Sequence, residues 1–205
     1  MYCVCTNCSN QLLICDDDFV IMGEWDYLDI NLYADGYNQT ECFNGNCLGF
    51  VQVNHNKEYA LGSIISPTNS IGLTSKLFTI LLIKQDPSTG HWWLYVQRES
   101  IRIGYWPKEI FTHLREGASK IRFGGQTYAP PNKDCPPMGS GRFPKEKIIN
   151  SGFMAKLTII DSKYNEPAIK PEDMKPYKDT NTNCYDLEYH GDEGRLYKQA
   201  FFYGG

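Results

Sequence analysis

The stretch that most constrains the fold runs from His91 to Gln126. It contains one aromatic segment with two adjacent tryptophans, a turn, and a second aromatic segment that ends in Tyr105-Trp-Pro107. Three of the four tryptophans of the chain lie in this stretch, and side chains of this size dominate the burial energy of the core that they join. The stretch then closes with Gly-Gly-Gln, so a polar amide stands at the end of an aromatic scaffold.

The same region predicts strands joined by turns. Residues Leu77–Lys84 form a nearly continuous apolar run that is rich in β-branched side chains, which is typical of a central strand. His91–Val96 and Ser100–Tyr105 are expected to follow as the next two strands. Pro107 suits the first turn of a helix, and Lys108–Glu116 places apolar side chains on one face. We therefore expect one short helix over these residues.

Further strands are expected where apolar and polar residues alternate between Gly and Pro turns. These segments are Gly49–Asn54, Tyr59–Ser66, Ala118–Phe123, Phe153–Asp161, Cys184–Tyr189 and Gln199–Tyr203. The polar, proline-bearing segment Lys163–Asn181 is expected to be a long surface loop. The pattern predicts an all-β fold, an antiparallel double-sheet β-sandwich with one short helix.

The first 25 residues differ from the rest of the chain. They contain four of the eight cysteines, in the spacing C-x-C-x2-C-x6-C. Zinc ligands usually come as spaced pairs on a turn, and no histidine lies near this set, so we predict no metal site and no cofactor. The segment also lacks the basic start and long apolar run of a recognisable signal peptide. We expect an irregular leader over residues 1–25, followed by one domain over residues 26–205.

Two features indicate an oxidising compartment. Cys42 and Cys47 flank Asn44-Gly45, a strong signal for a two-residue hairpin. Cysteines on either side of such a turn can lie within disulfide reach, so a Cys42–Cys47 bridge is predicted. Asn38 begins an Asn-x-Thr sequon and is a candidate glycosylation site. Eight cysteines in 205 residues fit a secreted protein better than a cytosolic one.

Composition and motifs argue against several classes of function. The net charge is -4 and no basic stripe is present, which argues against a nucleic-acid partner. No apolar run approaches the roughly 18 residues of a membrane-spanning helix. The sequence also lacks HExxH, G-x-S-x-G and Walker motifs. The residues alone therefore lead to an all-β domain of secreted type with a candidate aromatic cleft.

Several ordered motifs resemble the neprosin family of plants. They include Ala34-Asp-Gly-Tyr37, Cys42-Phe-Asn44, Gly90-His-Trp-Trp-Leu94, Gly104-Tyr-Trp-Pro107, Phe123-Gly-Gly125, Met138-Gly-Ser-Gly141, Asn183-Cys-Tyr-Asp186 and Phe202-Tyr-Gly-Gly205. The resemblance extends from about Tyr33 to the end of the chain. It implies a secreted glutamic endopeptidase that cleaves beside proline at acidic pH, with two antiparallel sheets curved around a cleft.

In the family, two glutamates face each other across the cleft. Two carboxyl groups in contact cannot both ionise easily, so one can activate water while the other polarises the scissile carbonyl. The second family glutamate follows Phe-Gly-Gly, where this chain has Gln126. Counting back to the first without gaps leads to a position near Gln11, and Glu24 is the nearest glutamate beside a tryptophan. The resemblance thus assigns the catalytic positions to Gln126 and Gln11 and implies weak or absent hydrolysis.

Trp93, Tyr105 and Trp106 are the candidate substrate-binding residues, and the implied partner is a proline-rich peptide or protein. Two functions remain open at this stage. One is a peptidase domain that retains Gln126 as an electrophilic partner. The other is a non-catalytic peptide- or glycan-binding module on the same scaffold.

The resemblance also bears on the end of the chain. The family sequence continues to a further cysteine, which pairs with the one in the Cys-Tyr-Asp motif. We therefore expect a C-terminally truncated domain in which Cys184 bonds to another partner, with Cys135 as the candidate.

Overall fold

A computed structural model describes twelve segments of the chain. They are residues 2–5, 19–23, 28–32, 49–61, 63, 79–97, 99–111, 114–118, 121–125, 134–146, 150–178 and 181–205. The strands in these segments are β1 Tyr2–Cys5, β2 Phe19–Gly23, β3 Leu28–Leu32, β4 Val51–Gln52, β5 Leu81–Gln85, β6 Trp92–Val96, β7 Ile101–Trp106, β8 Ile121–Gly124, β9 Gly152–Ala155, β10 Met174–Tyr177, β11 Asp186–Asp192 and β12 Gln199–Gly204. One α-helix, α1, covers Gly194–Tyr197.

The strands form three sheets around a common core. Their orders are β10-β1-β8-β2-β3, β4-β7-β6-β5 and β11-β12-β9. Neighbouring strands are antiparallel, except that β2 and β8 are parallel. All three sheets contribute to one hydrophobic cluster, with Leu94 and Ile103 from the second sheet, Phe123 from the first and Phe201 from the third. The predicted all-β fold of antiparallel sheets is confirmed, and the described segments contain one short α-helix.

In the sheet of β4, β7, β6 and β5, burial alternates along β6 from Trp92 to Leu94, and the register with β7 shifts between Leu94 and Tyr95. Trp92, Leu94 and Val96 on β6 are buried, with exposures of 3%, 0% and 6%. The side chain of Trp93 points to the other face, as the two-residue period of a strand requires. The indole Nε1 of Trp92 donates a hydrogen bond to the carbonyl of Leu114 at 2.9 Å, so the buried ring has a partner for its polar atom.

The helix predicted over Lys108–Glu116 is wrong. The described residues of this segment form two separate 3-10 turns, Lys108–Ile110 and Leu114–Glu116. Phe111 between them has an extended backbone, with φ -100° and ψ 139°. Phe111 and Leu114 are 1% and 3% exposed. Their burial in the core therefore outweighs the local helical pattern, and the short helix of the fold is α1 instead.

Most of the predicted strands are present, but several differ in length or position from the prediction. The strand expected over Phe153–Asp161 ends at Ala155, where Lys156 adopts a positive φ of 55°. The strand expected from Tyr59 is wrong at its described residues, because Lys57–Tyr59 is a 3-10 turn. The loop expected over Lys163–Asn181 contains β10, which pairs with β1.

The interpretation of residues 1–25 as irregular is wrong at two places. β1 lies between β8 and β10, with Cys3 opposite Phe123 in the register. β2 pairs with β8 on the other side and with β3. Both strands are short, and β8, with which each of them pairs, is distant in sequence. For this reason, the local pattern of apolar and polar residues did not predict β1 or β2.

Candidate functional site

Trp93 and Tyr105 lie side by side on one face of the second sheet. They are direct cross-strand partners on β6 and β7, and their ring centroids are 4.8 Å apart. His91 stacks on the other side of Tyr105 at 5.0 Å with an interplanar angle of 12°. Tyr95 continues the row at 6.2 Å from Trp93, and it forms the buried end of the row, with an exposure of 6%. We call these four residues the aromatic face.

Two cations lie over the aromatic face. The guanidinium carbon of Arg102 is 5.4 Å from the Trp93 ring centroid, and Nζ of Lys84 is 5.5 Å from that of Tyr95. Such contacts are attractive because the ring face carries negative charge density. Burial also raises the pKa of Tyr95 above its ordinary value, so its phenol stays neutral at physiological pH. The face therefore presents flat rings and positive charge.

Trp106, the third predicted substrate-binding aromatic, lies elsewhere. It is 4% exposed and packs on Phe50 at a centroid distance of 4.6 Å. Adjacent residues of a strand point to opposite faces, so Tyr105 and Trp106 cannot both lie on the aromatic face. Trp106 is therefore a core residue that a ligand cannot reach, and it is not part of the candidate surface.

The end of β8 is held closely by its neighbours. A Cβ atom added at Gly125 would lie 2.9 Å from Cε2 of Tyr203 and 3.0 Å from Sδ of Met138. Real Cβ atoms do not approach other atoms this closely, so only glycine fits here without a shift of the surrounding side chains. The backbone immediately before residue 126 is therefore held in a fixed position. Gln126 itself lies outside the described residues.

The loop that packs on the end of β8 is tied down at three points. Cys135 and Cys184 form a disulfide with a Cα–Cα distance of 5.9 Å, which confirms the expected pairing. The hydroxyl of Tyr185 donates to the carbonyl of Pro136 at 2.7 Å. The amide of Met138 donates to the carbonyl of Gly205 at 3.0 Å. These ties fix Met138 against Gly125.

The remaining predicted site residues cannot be placed. Gln11, Asn38, Cys42 and Cys47 lie outside the described residues, as does Gln126. Within the described segments, no group of three His, Cys, Asp or Glu side chains could hold a metal ion. No helix in the same segments has the length and apolar character to cross a membrane.

Sequence reasoning did not identify Arg102, Lys84, Tyr95 or His91 as part of one surface with Trp93. The signal that could have identified them is the alternation of side chains along β6 and β7. It assigns each side chain to one face of the sheet once the register of the two strands is known.

Comparison with known families places the chain beside one of them. A family model described as Neprosin matches residues 13–205. The matched region includes all strands from β2 to β12, and it also includes residues 13–25 of the segment expected to fall outside the family.

Proposed function

Because the chain belongs to the neprosin family, we propose that it is a glutamic endopeptidase domain that binds proline-containing peptides and hydrolyses them weakly or not at all. The observation that supports this proposal is the residue after Phe123-Gly-Gly125. The family resemblance calls for a glutamate there, and the chain has Gln126.

The chemical argument concerns proton transfer. Hydrolysis of an amide by a pair of glutamates needs one carboxylate to take a proton from water. An amide side chain donates and accepts hydrogen bonds but has no basic site at any ordinary pH. Gln126 could therefore stabilise the developing oxyanion, but it could not activate the water. Gln11, at the approximate position of the first glutamate, has the same limitation.

The packing of the residues before position 126 supports the proposal that the chain retains the shape of the site and lacks only the catalytic carboxylate. Phe123 is 8% exposed and belongs to the core. Gly125 fits closely against Tyr203 and Met138. The substitution of Glu by Gln changes the protonation chemistry with almost no change in side-chain shape.

The aromatic face supports peptide binding. Trp93 and Tyr105 form a partly exposed pair whose rings are tilted by 35° to each other. Proline-rich segments bind to aromatic-lined surfaces because their extended helix is already formed and loses little entropy. The second candidate function, a non-catalytic peptide- or glycan-binding module, is favoured by the same pair together with the missing carboxylates.

An extracellular location is part of the proposal. The family supports it, and the Cys135–Cys184 disulfide suits an oxidising compartment.

The test compares the wild-type protein with four variants on a proline-rich peptide at pH about 3 to 5, where a glutamate pair would work. Mass spectrometry measures cleavage. The variants are Gln126→Ala, Gln126→Glu, the double variant Gln11→Glu/Gln126→Glu and the control Gln97→Glu, which adds the same charge at an exposed turn. We expect trace or no cleavage by the wild type and the control, and a gain in the double variant.

The outcomes separate the two functions. Cleavage beside proline by the wild type that disappears in Gln126→Ala would exclude the binding module. No cleavage by the wild type, with recovery in the double variant, would show that the present chain is not an active enzyme. Rapid wild-type cleavage that persists in Gln126→Ala would overturn the proposed role of position 126.

A further inference from the structure

A pocket of about 530 Å³, lined by polar side chains together with Val53 and Ile101, opens beside the aromatic face. It lies between the start of β7 and the segment that follows β4. Its polar lining consists of Asn54, His55, Asn56, Tyr59, Ser100 and Arg102. No aspartate or glutamate lines it, although the chain as a whole carries a net charge of -4. The pocket is thus a site of positive charge and hydrogen-bond donors in an acidic protein.

Arg102 is the strongest of these donors. Its side chain is exposed and makes no ion pair with any residue in the described segments. The nearby carboxylate of Glu99 is paired with Lys84 instead. The guanidinium carbon lies over the ring of Trp93, 5.4 Å from its centroid. The N–H groups of the guanidinium point along the edges of its plane, so they remain available to a planar anion.

The wall of the pocket opposite Arg102 is held by its own hydrogen bonds. Nδ2 of Asn54 donates to the carbonyl of Arg102 at 3.0 Å, and its Oδ1 accepts from the amide of Asn56 at 2.9 Å. Oδ1 of Asn56 accepts from the amide of Glu58 at 3.1 Å. These bonds engage both polar atoms of the Asn54 amide and Oδ1 of Asn56, so Nδ2 of Asn56 is the remaining asparagine donor among the lining residues.

We propose that this pocket binds the side-chain carboxylate of an Asp or Glu residue in the bound peptide. The inference rests on the proposed peptide-binding function and names a sequence preference for it. An arginine fork binds a carboxylate through two parallel hydrogen bonds, and the neutral donors of Asn56, Tyr59 and Ser100 add no competing negative charge.

The position of Arg102 indicates that the ligand of the pocket is part of a peptide. It lines the pocket and also contacts Trp93. A peptide whose proline packs on Trp93 therefore has its neighbouring side chains within reach of the guanidinium. The pocket selects an acidic residue close to the proline.

Binding, rather than cleavage, tests the inference. Two labelled peptides that contain proline and differ only in one Glu or Gln are titrated with the protein at pH about 6, where glutamate is ionised. Fluorescence anisotropy measures both affinities. We expect the Glu peptide to bind about tenfold more tightly, as a charge-assisted hydrogen bond predicts. Arg102→Gln should abolish this preference. Arg102→Lys should keep part of it, because lysine has the charge but not the fork.

The matched control is Arg195→Gln, which removes the same charge from an exposed position on α1 and should keep the full preference. Thermal unfolding verifies that each variant is folded. If Arg102→Gln does not fold, Tyr59→Phe and Ser100→Ala each remove one neutral donor from the pocket and should reduce the preference.

Three results would overturn the inference. Equal binding of the two peptides by the wild type would refute the pocket's role and leave peptide binding intact. Failure of both peptides to bind would refute it together with the proposed function. An acidic oligosaccharide or inorganic phosphate that binds more tightly than the Glu peptide, with the same dependence on Arg102, would show that the pocket serves another anion.

Discussion

The backbone of Gly125 lies against the ring of Tyr203, so that a Cβ atom at residue 125 would stand 2.9 Å from Cε2. Gly125 follows a strand of the five-stranded sheet, and Tyr203 belongs to a strand of the three-stranded sheet. Tyr203 is 3% exposed, so it has little room to move. This contact fixes the relative position of two sheets at the point where the chain continues to Gln126.

Gly125→Ala should therefore lower the free energy of unfolding by about 1–3 kcal/mol, the usual cost of an added group in a packed interior. Urea unfolding measures the change. The cause is tested by repeating the substitution in a Tyr203→Leu background, where the smaller side chain relieves the contact and the loss should be smaller. An equal loss in both backgrounds would show that the ring is not responsible.

Removal of the Cys135–Cys184 disulfide should lower the free energy of unfolding by about 2–4 kcal/mol. The bridge joins residues 49 apart in sequence, and closing a loop of this length restricts the unfolded chain strongly. The double variant Cys135→Ser/Cys184→Ser is compared with the wild type in urea without reductant. Cys135 is exposed and Cys184 is half-buried, so serine itself adds little cost. An unchanged midpoint would contradict the prediction.

Asp86 should stabilise the turn before β6 in a pH-dependent way. Its Oδ1 accepts hydrogen bonds from the amides and hydroxyls of Ser88 and Thr89, and these lower the pKa of Asp86 to about 2. A lowered pKa in the folded state means that the stabilisation is present above the unfolded pKa of about 3.9 and is lost as the pH falls towards 2.

Asp86→Asn should accordingly cost about 1 kcal/mol at neutral pH, an amount reduced by solvent screening at this exposed turn. The difference from wild type should shrink as the pH is lowered from about 4 to 2. Urea unfolding across this range measures it, and Asp134→Asn at an exposed position is the control. A difference that is independent of pH would indicate that the carboxylate charge is not involved.

Trp93 and Trp106 should respond differently to truncation. Trp93→Ala should weaken peptide binding about tenfold, because it removes an aromatic contact surface, with a small effect on stability. Trp106→Ala should lower the free energy of unfolding by about 3–5 kcal/mol, because it leaves a cavity in the core. Anisotropy titration and urea unfolding separate the two effects. A Trp93→Ala variant with unchanged affinity would remove the aromatic face from the binding site.

Several features could be predicted from the residues alone. The alternation of Trp92, Trp93 and Leu94 predicts a strand with one buried face, because a strand has a period of two. The ordered motifs indicated the family that the match over residues 13–205 confirms. The residue types at the proposed catalytic positions, Gln126 and Gln11, are also properties of the sequence.

Other features were decided only by tertiary structure. Pairing of β1 with β8 and β10 joins segments more than a hundred residues apart in sequence, and no local pattern encodes such a partner. The helical pattern of Lys108–Glu116 gave way to two turns because Phe111 and Leu114 gain more from burial in the core than from helical hydrogen bonds. The pocket that contains Arg102 forms where residues 53–59 meet residues 100–102. Local sequence sets the period of each strand, whereas the packing of distant strands determines which side chains meet.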